Sequence, residues 1–304
     1  MLVHFGIENI RADWKSSTVV VGTFDGVHLG HRALIQKTIQ EATEREQPSV
    51  IVTFDRHPAT ILSPDHVPLQ IGTLEQNVIQ MRQAGASVCV ILPFDAGLSR
   101  TTAHEFFDEI LVGSLRANQV VVGHDFGFGM NREGNADWLR SRVDTVEFPP
   151  FAVNGQRVSS SLIRCMVDAG QVEEVQQYLG RPFSIAGVVV SGHKRGRALG
   201  FPTLNIARST QGLLPADGVY AGVCRVKTVP YKAAISIGTN ETFGEGPRTI
   251  EAYLLDYPGT EIYGCPVELG FIEKIRGQQR FESVQELIDQ MNHDVQQAST
   301  IALG

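Results

Sequence analysis

Short apolar runs alternate with longer amphipathic stretches through the first half of the chain. The runs are TVVVG (18–22), SVIVTF (49–54), SVCVIL (87–92), QVVVG (119–123) and VDTVEF (143–148). Several are continuously apolar and β-branched, the pattern of strands covered on both faces of a parallel sheet. Between the first two, Leu34, Ile35, Thr38, Ile39 and Ala42 trace one face of a helix. Thr73 with Gln76, and Thr102 with Glu105, form capping-box patterns that mark two further helix starts. Strand, helix, strand in repetition predicts an open, doubly wound α/β sheet.

After SSSLIRCMVDAGQVEEVQQYLGRPFSI the rhythm changes. From about Phe183 to Ile275 short strands follow one another between Gly, Pro and Asp turns: FSIAGVVVSG, GVYAGVCRV, YKAAISIG, TIEAYLLDY and CPVELGFIEKI. Strands at that density, with no helix between them, predict a small antiparallel barrel. A last helix over roughly 283–298 sets Val284, Leu287, Ile288, Met291 and Val295 on one face, behind a Ser283/Glu286 capping box. The boundary falls near Gly180–Pro182, which gives domains 1–182 and 183–304 in a chain of α/β class.

Composition narrows the partners. With 304 residues, 42% hydrophobic and 19% charged, the chain has material for two ordinary cores. A net charge of −7 argues against wrapping nucleic acid by charge, while leaving room for one phosphorylated small molecule at a local site. Cys89, Cys165, Cys224 and Cys265 are far apart and read as reduced, mostly buried thiols. The opening MLVHFGIENIR lacks the pattern of a secretory signal, and no apolar run approaches the ~20 residues that span a bilayer. The expectation is a cytoplasmic protein with no membrane partner.

The chemistry concentrates where the first strand gives way to a helix, in GTFDGVHLGH (22–31). Ligands of such sheets bind beyond the carboxyl ends of the strands, and phosphates favour helix N-termini. Gly22, Gly26 and Gly30 permit tight turns, and His28 and His31 are spaced to face one polyphosphate together. The P-loop pattern is absent. A metal pair, with Asp25 as a further ligand, and a purely structural pair of histidines are the competing readings. Phe54 and His57 in TFDRHP, and Asp125, Phe126 and Phe128 in GHDFGFG, end the second and fourth strands on the same edge. Those rings suit a flat aromatic ligand, or else the core. Ser160, Ser161 and Arg164 open a later helix and offer a second anion-holding end.

In the barrel half, GRALGFPTLN (196–205) is the densest motif. If Thr203–Asn205 is extended, Thr203 and Asn205 share a face as hard ligands suited to Mg²⁺, and Gly196 and Gly200 allow a loop over phosphates. A simple Pro-Thr turn is the alternative. Glu251 alternates with Ile250 and Ala252, and either orients a substrate hydroxyl toward a γ-phosphate or is a solvated edge residue.

Taken together, H-x-G-H after the first strand and the Ser-rich x-I-R segment resemble the nucleotidyltransferase superfamily. The strings GTFDGVHLGH, TFDRHP, GHDFGFG and SSSLIR resemble the adenylyltransferase half of bacterial bifunctional FAD synthetases. G-R-x-L-G-F-P-T-x-N, G-V-Y, I-G-T-N-x-T-F-G and the later Glu251, LLD and YG resemble riboflavin kinase. The resemblance runs from about 18 to 298. It implies MgATP, riboflavin and FMN as ligands and two activities: riboflavin phosphorylation by the C-terminal domain, then FMN adenylylation by the N-terminal one. It implies ATP-phosphate binding by Gly22, Phe24, Asp25, Gly26, His28, Gly30, His31, Ser160, Ser161 and Arg164. It implies flavin contact by Phe54, His57, Asp125, Phe126 and Phe128. In the kinase half it implies Mg-ATP binding by Thr203 and Asn205 beside Gly196 and Gly200; the catalytic residues it implies are Glu251 there and His28 and His31 in the N-terminal half. A monomer or weak oligomer that passes FAD transiently to apoflavoproteins is the matching partner expectation. The chain departs from the family at Ser161 for a usual threonine, at Arg56 for a frequent proline, and at Ala252 and Tyr253 after Glu251; each departure keeps the groups the chemistry requires. A protein with one live module, or a flavin carrier without turnover, are the alternatives.

Overall fold

The computed structural model describes residues 1–302 apart from 9, 11–12, 193–195, 197–198, 209–211, 240–247 and 260–261. The chain forms two compact units, Met1–Ser160 and Ser161–Gly304.

In the first unit the strands are β1 (Leu2–Phe5), β2 (Ser17–Val21), β3 (Ser49–Phe54), β4 (Val88–Leu92), β5 (Ala117–Gly123) and β6 (Asp144–Phe148). They make one sheet in the order β1-β4-β3-β2-β5-β6, with every pairing parallel. The alternation of side chains along buried strands explains the two cores. Val19, Val21, Val50, Val52, Val120 and Val122 lie in one apolar cluster, and Val20, Ile51 and Val121 in another. Helix α1 (Leu29–Glu44) covers the second cluster with Leu34 and Ile35.

Three short helices follow: α2 (Ala59–Leu62), α3 (Leu74–Gln83) and α4 (Ala103–Glu105). The reciprocal capping boxes at Thr73/Gln76 and Thr102/Glu105 are both formed. The second starts only one α-turn before the backbone widens into a π-helix, Phe106–Ser114, whose Phe106, Phe107, Ile110 and Leu111 fill the first core. Beyond β5 come α5 (Ala136–Arg140) and a two-stranded ribbon, β7 (Ala152–Val153) with β8 (Gln156–Arg157). The edge strand β1 was not anticipated from the sequence.

The strand order places a topological switch point between β2 and β5. From β2 the chain runs outward through β3 to β4, and from β5 outward to β6. The turns after β2 and β5 therefore flank the crevice where ligands of such sheets bind.

The second unit begins with α6 (Ser160–Asp168), whose first residue ends the first unit, and α7 (Val172–Leu179). The compact units thus part some twenty residues before Gly180–Pro182. Six antiparallel strands close into a barrel in the order β10-β13-β12-β11-β14-β9. They are β9 (Phe183–Val190), β10 (Thr203–Ala207), β11 (Gly218–Val226), β12 (Val229–Gly238), β13 (Thr249–Leu254) and β14 (Pro266–Arg276), with β10 pairing β9 to complete the ring. Ile250, Ala252 and Leu254 point inward and are buried, so Thr249, Glu251 and Tyr253 stand on the outer face. The terminal helix α8 (Val284–Thr300) packs Ala298 beside Ala221 and Ala234. Its cap is one-sided. Ser283 accepts from the Glu286 N–H, but the Glu286 carboxylate accepts from Glu282 rather than from the cap residue.

Among the four cysteines, Cys89 and Cys224 are buried, whereas Cys165 is exposed and Cys265 half-buried, against the expectation of mostly buried thiols. Burial pushes the thiols of Cys89 and Cys224 up to about 12.

Candidate functional sites

At the end of β2 the Gly22 N–H donates to the Val52 carbonyl, and the chain enters a contorted turn. Phe24, Gly26 and Val27 all have positive φ, at 47°, 75° and 37°. The turn delivers His28 to the N-cap of α1, where its Nδ1 accepts from the His31 N–H at 3.1 Å. An accepting Nδ1 puts the proton of the neutral ring on Nε2 and makes that atom the donor. The two imidazoles stack with centroids 3.6 Å apart, and Phe24 meets His31 edge-on at 5.3 Å. A Cβ on Gly30 would lie 3.2 Å from the His28 ring, a tight contact that glycine avoids.

Asp25 turns its carboxylate to backbone donors. Its buried carboxylate accepts from the N–H groups of Ile71 (3.0 and 3.1 Å) and Gly72 (3.2 Å). Among the described residues no group of three or more His, Cys, Asp or Glu side chains is arranged to hold a metal. The hydroxyl of Ser160, the last residue of the first unit, donates to the Asp25 carbonyl at 3.4 Å. Ser161 and Arg164 follow on the first turns of α6.

The other predicted residues divide by burial. Phe54 ends β3 half-buried, edge-on to Phe94. His57 is half-buried, its Nδ1 accepting from the Ala59 N–H. Phe126 is half-buried and stacks on Phe128, whose ring belongs to the first core with Phe106 and Trp138. Phe24 is likewise in the core. Asp125 is exposed and pairs with Arg157 at 2.9 Å. Arg157, on the ribbon just before the serines, was not singled out from the sequence.

On the barrel, strand register explains the second site. Asn205 of β10 lies directly opposite Glu251 of β13, and Thr203 lies one diagonal step away, opposite Tyr253. The Thr203 hydroxyl donates to Glu251 Oε2 at 2.9 Å. Thr203–Ala207 is therefore a strand and not a turn. On the far side of β13, Ser236 is the direct partner of Glu251, a hydroxyl that no sequence motif had marked. Gly192, after β9, accommodates Asn205; a Cβ there would lie 2.1 Å from its amide nitrogen. Gly196 accepts from the N–H groups of Leu199 and Phe201, folding the loop back before β10, and Gly200 has φ 89°. Beside this face opens a cavity of about 350 Å³, lined by Gly192, Thr203, Asn205, Tyr253, Tyr257 and Tyr263 among others, within the range of small-molecule sites. The Asn240–Gly244 part of I-G-T-N-x-T-F-G lies outside the described residues.

One unit thus carries a parallel sheet with a histidine-capped helix at its switch point, and the other a barrel that groups a threonine, an asparagine and a glutamate. A family model described as FAD synthetase matches residues 10–162, and one described as riboflavin kinase matches residues 179–302. The chain is 32% identical over 297 residues to a bifunctional riboflavin kinase/FMN adenylyltransferase of Bacillus subtilis (strain 168), covering 95% of this chain and 93% of that one. It is 32% identical over 296 residues to the protein of the same description from Escherichia coli (strain K12), covering 95% and 94%. A crystal structure from Streptococcus pneumoniae, described as a macrolide-efflux protein, superposes with a TM-score of 0.90 at 29% identity over 99% of this chain and 100% of that one. No helix among the described residues is long and apolar enough to cross a membrane. The chain belongs to the bifunctional riboflavin kinase/FMN adenylyltransferase family.

Proposed function

We propose that the domain of residues 183–304 phosphorylates riboflavin to FMN, and that the domain of residues 1–182 adenylylates FMN to FAD, each at the site described above. In the kinase step the terminal ribityl hydroxyl attacks the γ-phosphorus of ATP. The new O–P bond forms as the bond to the β,γ-bridging oxygen breaks, and ADP departs. Glu251 orients the hydroxyl and takes its proton, and its hydrogen bond from Thr203 fixes the carboxylate that does so. Thr203 and Asn205 present neutral oxygens beside one carboxylate, a hard donor set that fits Mg²⁺ with ATP oxygens and water completing its shell. Bound there, Mg²⁺ supplies neutralisation of the triphosphate charge.

In the adenylyl step an FMN phosphate oxygen attacks the α-phosphorus of a second ATP, and pyrophosphate leaves. The substrate is its own nucleophile, so the protein's work is positioning and charge stabilisation. His28 donates from Nε2, and His31 stacks beside it at the positive end of α1, with Phe24 bracing the pair from the core. Ser160, Ser161 and Arg164 complete the phosphate contacts, and Phe54, His57, Asp125 and Phe126 receive the flavin over the buried Phe128. The protein works in the cytoplasm on small molecules, as a monomer or weak oligomer, and releases FAD to apoflavoproteins.

The observation that supports this reading most is that one chain carries both the His28/His31 pair at the start of α1 and the Thr203, Asn205 and Glu251 grouping on the barrel. Isotopic ATP tests it. Label in the γ-position should enter FMN and persist in FAD, whereas label in the α-position should enter FAD alone. Flavin products without α-label would contradict the adenylyl assignment.

A further inference from the structure

The turn that presents His28 is strained, and something must hold it. Three of the four residues from Phe24 to Val27 have positive φ, and one of them, Val27, is β-branched, where such a conformation is a genuine outlier. For Phe24 and Val27 such a conformation is costly and persists only where the surroundings over-determine it, whereas Gly26 adopts it freely. Phe24 and Val27 are fully buried, and the Val27 N–H donates to the Phe24 carbonyl at 3.2 Å. Between them, the Gly26 N–H donates to Asn77 Oδ1 at 3.0 Å.

Asn77 lies in the first turns of α3 and is only 7% exposed. Its amide nitrogen donates to the Gly72 carbonyl at 3.4 Å, and the Gly72 N–H in turn donates to Asp25. One side chain thus ties the turn before His28 to the segment that Asp25 also grips. The fit is close: a Cβ on Gly26 would stand 2.5 Å from Ile71 Cγ2. An apolar residue at 77 would take away the Oδ1 acceptor that the buried Gly26 N–H now uses, and with it the tie between the turn and α3.

We infer that Asn77 is a positioning residue of the adenylyltransferase site, holding the strained Phe24–Val27 turn so that His28 caps α1 with Nε2 toward the phosphates. The inference rests on the reading of His28 as a phosphate-binding group. It assigns Asn77 no contact with substrate.

The test is Asn77→Ala in the full chain, with His28→Ala in parallel. FAD formation from supplied FMN should fall about 10²-fold, chiefly in kcat, as a misplaced group at a reacting centre would cause. Riboflavin phosphorylation by the same preparation should be unchanged. The imidazole ¹⁵N resonances of His28 should lose the pattern of a ring whose Nδ1 is an acceptor. Should Asn77→Ala not fold, Asn77→Ser, whose shorter side chain also withdraws the Oδ1 acceptor from the Gly26 N–H, is read by the same criteria. Wild-type FAD formation in the Asn77 variant while His28→Ala is inactive overturns the inference. So does a parallel fall in both reactions, or an unaltered His28 pattern. Undiminished FAD formation in His28→Ala overturns the reading beneath it instead.

Discussion

Thr203 on β10 donates a 2.9 Å hydrogen bond to Oε2 of Glu251 on β13, one diagonal step across an antiparallel pair in which Asn205 is Glu251's direct partner. The register of two strands thereby sets the spacing of three polar groups on the outer wall of a barrel whose inward neighbours are all apolar. Glu251→Gln keeps an oxygen for Thr203 but removes the base. FMN formation should fall ~10²–10⁴-fold, while supplied FMN is still converted to FAD; separate assays of the two half-reactions check this.

Gly192 offers a less direct route to the same site. A methyl group at 192 would stand 2.1 Å from Asn205 Nδ2, so Gly192→Ala should displace the amide from the face it shares with Thr203. The expected outcome is a raised KM for MgATP in the kinase reaction with the adenylyl reaction intact, measured by initial rates at varied ATP.

His28 has a structural task as well as a chemical one. His28→Ala should stop FAD formation while FMN accumulates, a loss of about 10²–10³-fold for one donor at a charged transition state. It also removes the α1 cap, worth ~1 kcal/mol, so a modest drop in the thermal midpoint of the N-terminal unit should accompany it, seen by calorimetry.

Alkaline pH should weaken the fold. Burial raises the thiols of Cys89 and Cys224 from 9.0 to about 12, and the Tyr220 hydroxyl, also desolvated, from 10.0 to about 12. Groups whose folded value is raised contribute stability that is complete below the unfolded value and lost as pH climbs toward the folded one. Denaturant midpoints should therefore hold to about pH 9 and then decline toward pH 12 on account of these three groups. At pH 8 a thiol reagent should modify Cys165 well before Cys89 or Cys224.

Legibility in the sequence followed how strongly burial imprints a pattern. β3 runs from Ser49 to Phe54 as its apolar run indicates, because both faces are covered. β10 was readable only conditionally, since Ile206 alone among its five residues is buried and Pro-Thr suggests a turn. β1 is a four-residue edge strand with Leu2 and Phe5 exposed, too short to show a period. The Thr102 capping box marked a real start, yet nothing in a 3.6-residue period announces the widening at Phe106.

At the sites, the histidine pair and the Thr203–Asn205 alternation were visible because fixed spacing on one element dictates a shared face. Asn77 was not, because a polar residue in an amphipathic helix looks like solvent-facing surface. Its burial against Gly26 is a tertiary event. Phe128 carried two readings in the sequence, ligand edge or core, and its packing with Phe106 and Trp138 puts it in the core with Phe126 stacked on it.

The central claim is that both modules are live and act in sequence. Purified protein incubated with riboflavin, ATP and Mg²⁺, with flavins separated chromatographically over time, tests it most directly. Riboflavin should decline as FMN rises and then gives way to FAD; FMN that never becomes FAD, or riboflavin that stays unchanged, would contradict the account.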